Sequence, residues 1–244
     1  MAQILKLYKK EGETPLQCIL NFKSNNPEYT NEKMTYLGRL DPMAEGLLLV
    51  MVGNTNEKNN YLSLDKTYEF EVLWGFSTDT HDILGLVQGV SSQPVKLEQK
   101  IPKILNKIME KKIQIYPIFS SKFFKGNFLK ARDAKINELD LPEKNIKIFD
   151  IQHQNTRIVS NHELLDCIKD RIALVQGDFR QAEIIREWEN VLKNDLNVMI
   201  SSFRADVSSG TYIRGLAHEM GEILGKKAVA WRIKRTRIGD YILD

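Results

Sequence analysis

The chain has 244 residues, enough for one sizeable core or two modest ones, and its 35 Lys+Arg against 32 Asp+Glu leave a formal net charge of +3, weak evidence for a polyanionic partner. Cys18 and Cys167 are far apart and lack partner spacing, so neither a disulfide scaffold nor a zinc site is indicated. No charged-then-apolar leader appears and no apolar run approaches a bilayer-spanning length, so a cytoplasmic chain with no membrane partner is expected.

In chain order, residues 4–8 read as a short strand. Thr14 followed by Pro15 reads as an N-cap and first helical residue, with Leu16, Ile19 and Leu20 as the apolar face. Between Tyr36 and Val50, Asp41 stands between Gly38 and Gly46, just ahead of an apolar run. That run, 47–52, has no polar break, as in a strand covered on both faces. Pro42 pushes Asp41 toward an extended conformation, and the glycines permit angles other residues resist. On spacing alone the loop reads first as a turn whose aspartate bonds its own backbone; the alternative is a chemically used acid.

Tyr68, Phe70, Val72 and Trp74 alternate as in a half-buried strand. Leu97, Ile101, Ile104, Leu105 and Ile108 carry helical spacing, with Pro102 marking a start or a kink. Helical character continues in 162–175 and 182–192, through Leu164, Leu165, Ile168, Ile172, Ile184, Ile185, Trp188 and Leu192. A last helical stripe, Ile213, Leu216, Ala217, Met220 and Leu224, is closed by Gly225 as a C′ residue. Strands dispersed among helices predict an α+β fold with a mixed sheet.

Charge is unevenly distributed. Lys96 to Lys135 holds 11 Lys/Arg against three acids, and Lys226 to Arg237 holds six with no acid, whereas 138–200 is net acidic. Interleaved with Phe119, Phe123, Phe124, Phe128 and Trp231, the two basic blocks read as a track for a phosphate backbone or as ordinary solvated faces. His81, His153, His162 and His218 have neither metal-ligand spacing nor a nucleophile partner, and no metal or cofactor is expected.

The stretch Gly38-Arg39-Leu40-Asp41-Pro42-Met43-Ala44-Glu45-Gly46 resembles the catalytic loop of the bacterial tRNA uridine-55 pseudouridine synthases, the TruB type, and also that of synthases modifying small-subunit ribosomal RNA. Other segments favour the TruB type, in its order. Lys66-Thr67-Tyr68 matches its Lys-x-Tyr, and 78–85 matches its Thr-Asp-Thr-x-Asp-x-x-Gly. Residues 114–122 are similar to its Gln-x-Pro-Pro-x-Tyr-Ser-Ala-x-Lys, 210–214 match Gly-Thr-Tyr-Ile-Arg, and 235–241 look like its closing strand.

The resemblance implies one pseudouridine synthase catalytic domain over residues 1–244, a mostly antiparallel curved sheet flanked by helices, converting uridine to pseudouridine in RNA. It implies Asp41 as nucleophile or base at the ribose, Arg214 paired with Asp41, and Tyr68 stacked on the target base where a proton leaves C5. Ile233 takes the place of an apolar pocket floor. RNA contacts are expected from Tyr36, Arg39, Lys66, Tyr212, Ile233 and Arg235, and from Lys122, Lys125, Lys130 and Arg132 in a thumb-like segment at about 118–140. Thr78, Asp79 and Asp82 would order the loop beside the site. The target uridine, inside a folded loop, would have to be extruded.

Three departures qualify the resemblance. Tyr36 stands where the family usually has a histidine, and it stacks without carrying a positive charge. The sequence ends at Asp244, shortly after the closing-strand match, so the family's usual small C-terminal RNA-binding domain is not expected. Residues 160–195 read as a helical insertion, capping the sheet, offering a partner surface or standing in for that domain. The expected partner is the tRNA T-arm or another structured RNA, bound by a monomer. The alternatives are a synthase for ribosomal or another RNA, and a non-catalytic RNA-binding or folding factor on the same scaffold.

Overall fold

The computed structural model describes residues 3–117, 119 and 141–243, and the backbone alone of 123–124 and 127–128. In chain order, β1 (Gln3–Lys9) leads to α1 (Pro15–Asn25), β2 (Met34–Tyr36) and β3 (Ala44–Val52). A short helix α2 (Lys58–Leu62) precedes β4 (Lys66–Trp74), the hairpin of β5 (Phe76–Thr78) and β6 (Val87–Val90), and α3 (Leu97–Met109). Next come β7 (Ile113–Ile115), a small hairpin of β8 (Phe123–Phe124) and β9 (Asn127–Phe128), β10 (Glu143–Asn145) and the long β11 (Ile148–Ser160). Then follow α4 (Asn161–Ala173), α5 (Gln181–Val191), β12 (Asn197–Val207), α6 (Ile213–Ile223), β13 (Ala228–Ile238) and β14 (Tyr241–Ile242). The side chains of Lys122, Lys125, Lys130 and Arg132, and with them the expected thumb, lie outside the described residues.

The main sheet has eight strands in the order β1-β3-β13-β4-β12-β11, with β2 beside β3 and β14 beside β13. Every pairing is antiparallel except β3 with β13, parallel where Ala44–Gly46 face Ile233–Arg235. The fold is therefore α+β with a mixed, mostly antiparallel sheet, as expected. Residues adjacent along a strand point to opposite faces, and β4 uses both. Tyr68, Phe70, Val72 and Trp74 join Ile101 and Ile104 of α3 and Leu216 and Met220 of α6 in one core. Leu73 points the other way, into a second core with Val198, Ile200, Val229 and the helices α4 and α5.

The unbroken apolar run in β3 has the predicted cause. Leu48 and Val50 pack with Leu7 and Ile19 beneath α1, while Leu47, Leu49 and Met51 pack with Leu37 and Ile238 on the opposite side. Burying each such side chain contributes about 1.5–3 kcal/mol. Thr14 caps α1 in a capping box with Gln17, accepting from its backbone N–H at 3.2 Å.

Two local expectations need correction. In α1 the buried stripe is Pro15, Cys18 and Ile19, and Leu16 and Leu20 are exposed. Residues three and four apart share a face, and the stripe through Pro15 is the one turned to β1 and β3. Of the two readings of Pro102, a helix start is excluded, because α3 runs through it from Leu97. Its ring lies on the exposed side while Ile101, Ile104 and Ile108 are buried, so the backbone acceptor it leaves unpaired faces water.

The segment 160–195 forms α4 and α5 and caps the sheet: Leu164, Ile168, Ile172, Ile184 and Trp188 are buried against it. Among the described residues, no helix is long and apolar enough to cross a membrane.

Candidate active site

Asp41 lies in the loop from β2 to β3, where Gly38 and Gly46 adopt φ of +99° and +108°, a region that side chains resist. This loop is gripped from two sides. From β13, the buried Arg235 donates Nε to the Leu47 carbonyl at 2.9 Å, Nη1 to Arg39 at 3.0 Å and Nη2 to Gly38 at 3.3 Å. From the end of β1, the buried Lys9 donates Nζ to the carbonyls of Ala44 at 2.5 Å, Lys10 at 3.0 Å and Pro42 at 3.4 Å. Burial pushes the Lys9 ammonium down to about 8, against the opposing pull of Glu13.

Arg214 enters from the first turn of α6 and joins three segments. Its Nε donates to Asp41 Oδ2 at 2.8 Å, Nη1 to the Thr80 carbonyl at 2.6 Å and Nη2 to the Phe119 carbonyl at 2.6 Å. The guanidinium is 3% exposed and the Asp41 side chain 40%. Burial works against the Arg214 charge, but Asp41 and Asp82 outweigh it and hold its pKa above the ordinary value. Asp82 is a second, fully buried carboxyl beneath the pair, pushed up by burial and held back by Arg214 and by its hydrogen bond from Thr80 Oγ1 at 2.7 Å. Gly85 lets this hairpin loop close, because a Cβ there would lie 2.3 Å from Thr80 Oγ1.

The carboxylate opens into a cleft of about 630 Å³, lined on the apolar side by Leu40, Ala44, Tyr68 and Ile233. Lys58, Lys66 and Lys144 supply cations, and the turn Ser209–Thr211 forms one wall. Tyr68 is 8% exposed and lies opposite Arg235 in the β4–β13 ladder. The geometry thus offers an anchored carboxylate, an aromatic face and an apolar floor in one half-enclosed space, an arrangement that backbone capping of a turn would not require.

The remaining predicted residues sort by position. Tyr36 and Arg39 sit at the cleft rim, where Arg39 Nη2 donates to the Tyr36 hydroxyl at 3.2 Å and Lys58 Nζ lies 5.8 Å from the ring centroid. Lys66 is buried, donates to the carbonyls of Leu62 at 3.0 Å and of Leu64, and is pushed down to about 8 by burial and then by Arg235. Tyr212 is held through its backbone by Gln114, which donates Nε2 to its carbonyl and accepts from its N–H. Arg235, expected to contact RNA, is 1% exposed with donors committed to three carbonyls, so it holds the loop instead.

The basic block of β13 is likewise divided. Arg232 and Arg237 lie against Glu71 and Asp206 on the sheet, while Ile233 lines the cleft. Strand alternation separates Arg232 from Ile233, and the irregularity between Arg235 and Arg237 turns Arg237 to the side of Arg232, so these six cations do not form one track.

Residues 27–169, more than half of the chain, match the profile of the TruB family pseudouridylate synthases, N-terminal domain. The chain belongs to this family. It is 28% identical to the tRNA pseudouridine synthase B of Thermosipho melanesiensis, over 99% of this chain and 65% of that protein. The enzyme of the same name from Bacillus subtilis is 29% identical over 99% of the chain and 66% of its own length. In fold, the TruB-family chain is similar to a chain in a crystal structure of a Cbf5–Nop10–Gar1 complex, with a TM-score of 0.58 and 20% identity over 99% of this chain and 50% of that one. It therefore spans about two thirds of these relatives and half of the structural neighbour.

Residue typing missed several residues that line or hold this cleft. Lys9 carried no signal, being one of two lysines at a strand end. Lys58 and Lys144 gave none either, because their approach to the cleft depends on tertiary packing. Gln114 fell within the matched stretch 114–122 without an assigned role.

Proposed function

We propose that this chain converts uridine to pseudouridine in RNA, with uridine 55 of the tRNA T-loop as target. The observation carrying this reading is the Asp41–Arg214 pair, a carboxylate fixed at 2.8 Å by a buried guanidinium yet open to a cleft. Membership of the pseudouridylate synthase family and relatives named tRNA pseudouridine synthase B support it.

The reaction breaks the N-glycosidic bond and rejoins the uracil through C5, with no net change of oxidation state. Asp41 acts at the ribose as nucleophile or base, through the oxygen that Arg214 does not hold. Arg214, fixed by the Thr80 and Phe119 carbonyls, sets the direction of that carboxylate. Tyr68 stacks on the detached uracil beside the C5 proton, and Ile233 forms the dry floor on which the base turns. Lys58 and Lys144, which line the cleft, meet the phosphates of the extruded nucleotide, while the buried Lys66 holds the chain at Leu62 and Leu64.

A second reading keeps the chemistry and changes the RNA. It is favoured by Tyr36, an uncharged ring at the rim where the resemblance calls for histidine. The test is pseudouridine formation on an unmodified tRNA transcript, mapped at nucleotide resolution, with Asp41→Asn as control. Product at position 55 that vanishes in the variant is the expected result. Binding without product on tRNA, but product on ribosomal RNA, selects the second reading, and wild-type turnover by Asp41→Asn removes Asp41 from its role.

A further inference from the structure

The helical segment 160–195 does more than cover the sheet. Its α5 grips the β5–β6 hairpin at three points. Glu187 Oε2 accepts from the Val87 N–H at 2.6 Å, Trp188 Nε1 donates to the Ile83 carbonyl at 3.3 Å, and Arg180 Nη1 donates to Asp79 Oδ2 at 2.8 Å. The hairpin loop carries Thr80, whose carbonyl is one of the three acceptors of Arg214.

Arg180 has a second contact. Its guanidinium carbon lies 4.8 Å from the ring centroid of Phe119, whose backbone carbonyl is another acceptor of Arg214. One side chain thus touches both segments that hold the buried guanidinium away from Asp41. It also does so from an unfavourable backbone: Arg180 precedes α5 at φ +66°, a left-handed conformation that non-glycine residues resist. Asp79, its partner, is anchored independently through Oδ1, which accepts from the Leu86 N–H at 2.8 Å. Both charged groups are only partly exposed, at 22% and 17%, so their pairing is shielded from water.

We infer that Arg180 is a positioning residue for the reaction, fixing the Thr80 and Phe119 carbonyls and through them the direction in which Arg214 presents Asp41. This inference rests on the proposed synthase activity for its kinetic reading, but not for its structural one. It gives the segment 160–195 a part in the chemistry, although that segment contributes no residue to the cleft lining.

The experiment compares wild type with Arg180→Ala and Arg180→Lys in single-turnover pseudouridine formation, RNA affinity and thermal melting, together with the Nε–H resonance of Arg214 in a ¹⁵N-labelled sample. For Arg180→Ala the rate falls at least about tenfold, affinity stays within about twofold, the melting temperature is nearly unchanged, and the Arg214 resonance shifts or broadens. Arg180→Lys restores part of the rate by keeping a cation against Asp79. An unchanged rate and resonance in Arg180→Ala overturns the inference, and so does a rate loss matched by equal losses in affinity or folded fraction. If Arg180→Ala does not fold, Asp79→Asn breaks the same pair from the other side and is read identically. A wild type that modifies no RNA removes the proposed function, and the Arg214 resonance then decides the coupling alone.

Discussion

Gly46 faces Arg235 across the one parallel pairing of the main sheet, so closely that a Cβ on Gly46 would lie 2.3 Å from the Arg235 carbonyl oxygen. The contact is backbone against backbone, where no rotamer change relieves it, and Gly46 also holds φ +108°. Gly46→Ala is therefore expected to destabilise the fold by about 1–3 kcal/mol or more. The midpoint of chemical denaturation measures this. A shift under a few tenths of a kcal/mol contradicts the close approach.

Arg214→Lys tests geometry separately from charge. An ammonium retains one positive charge but cannot reach Asp41 and two carbonyls in the planar directions of a guanidinium. The single-turnover rate is expected to fall on the order of 100-fold or more, while RNA affinity changes only a few fold. Equal losses in rate and affinity would point to RNA binding as the role of Arg214.

Lys9 predicts that stability rises with pH. A lowered folded pKa means that the unfolded chain binds the proton more tightly between about pH 8 and 10.5. The contribution is present above the unfolded pKa and lost as the pH falls through about 8. Relative to Lys9→Met, wild type is expected to gain up to about 3 kcal/mol between pH 8 and pH 10.5. Denaturation of both proteins across that range gives the difference directly, and a difference independent of pH contradicts the buried-ammonium assignment.

What was legible in the sequence is what local chemistry encodes. Gly38, Asp41, Pro42 and Gly46 announced a special loop because backbone angles depend on residue type. The helical spacing of Ile213, Leu216, Ala217 and Met220 announced the buried face of α6 for the same reason, and Gly225 adopts the φ of +62° expected of a C′ residue. The pairing of Asp41 with Arg214, 173 residues apart, was reachable only through resemblance. Arg235 was misplaced because an arginine donating to three carbonyls reads like one meeting phosphates. Arg180 stayed hidden because its significance lies in what it touches across the fold, and nothing nearby in sequence distinguishes it from other basic residues of a solvated turn.

The unequal exposure of the ion pair, 3% for Arg214 against 40% for Asp41, makes the carboxylate approachable in one direction only. The guanidinium and its carbonyl cradle close the far side. Under the proposed chemistry, a sugar therefore reaches Asp41 from the cleft alone, and the acid cannot be met from the protein interior.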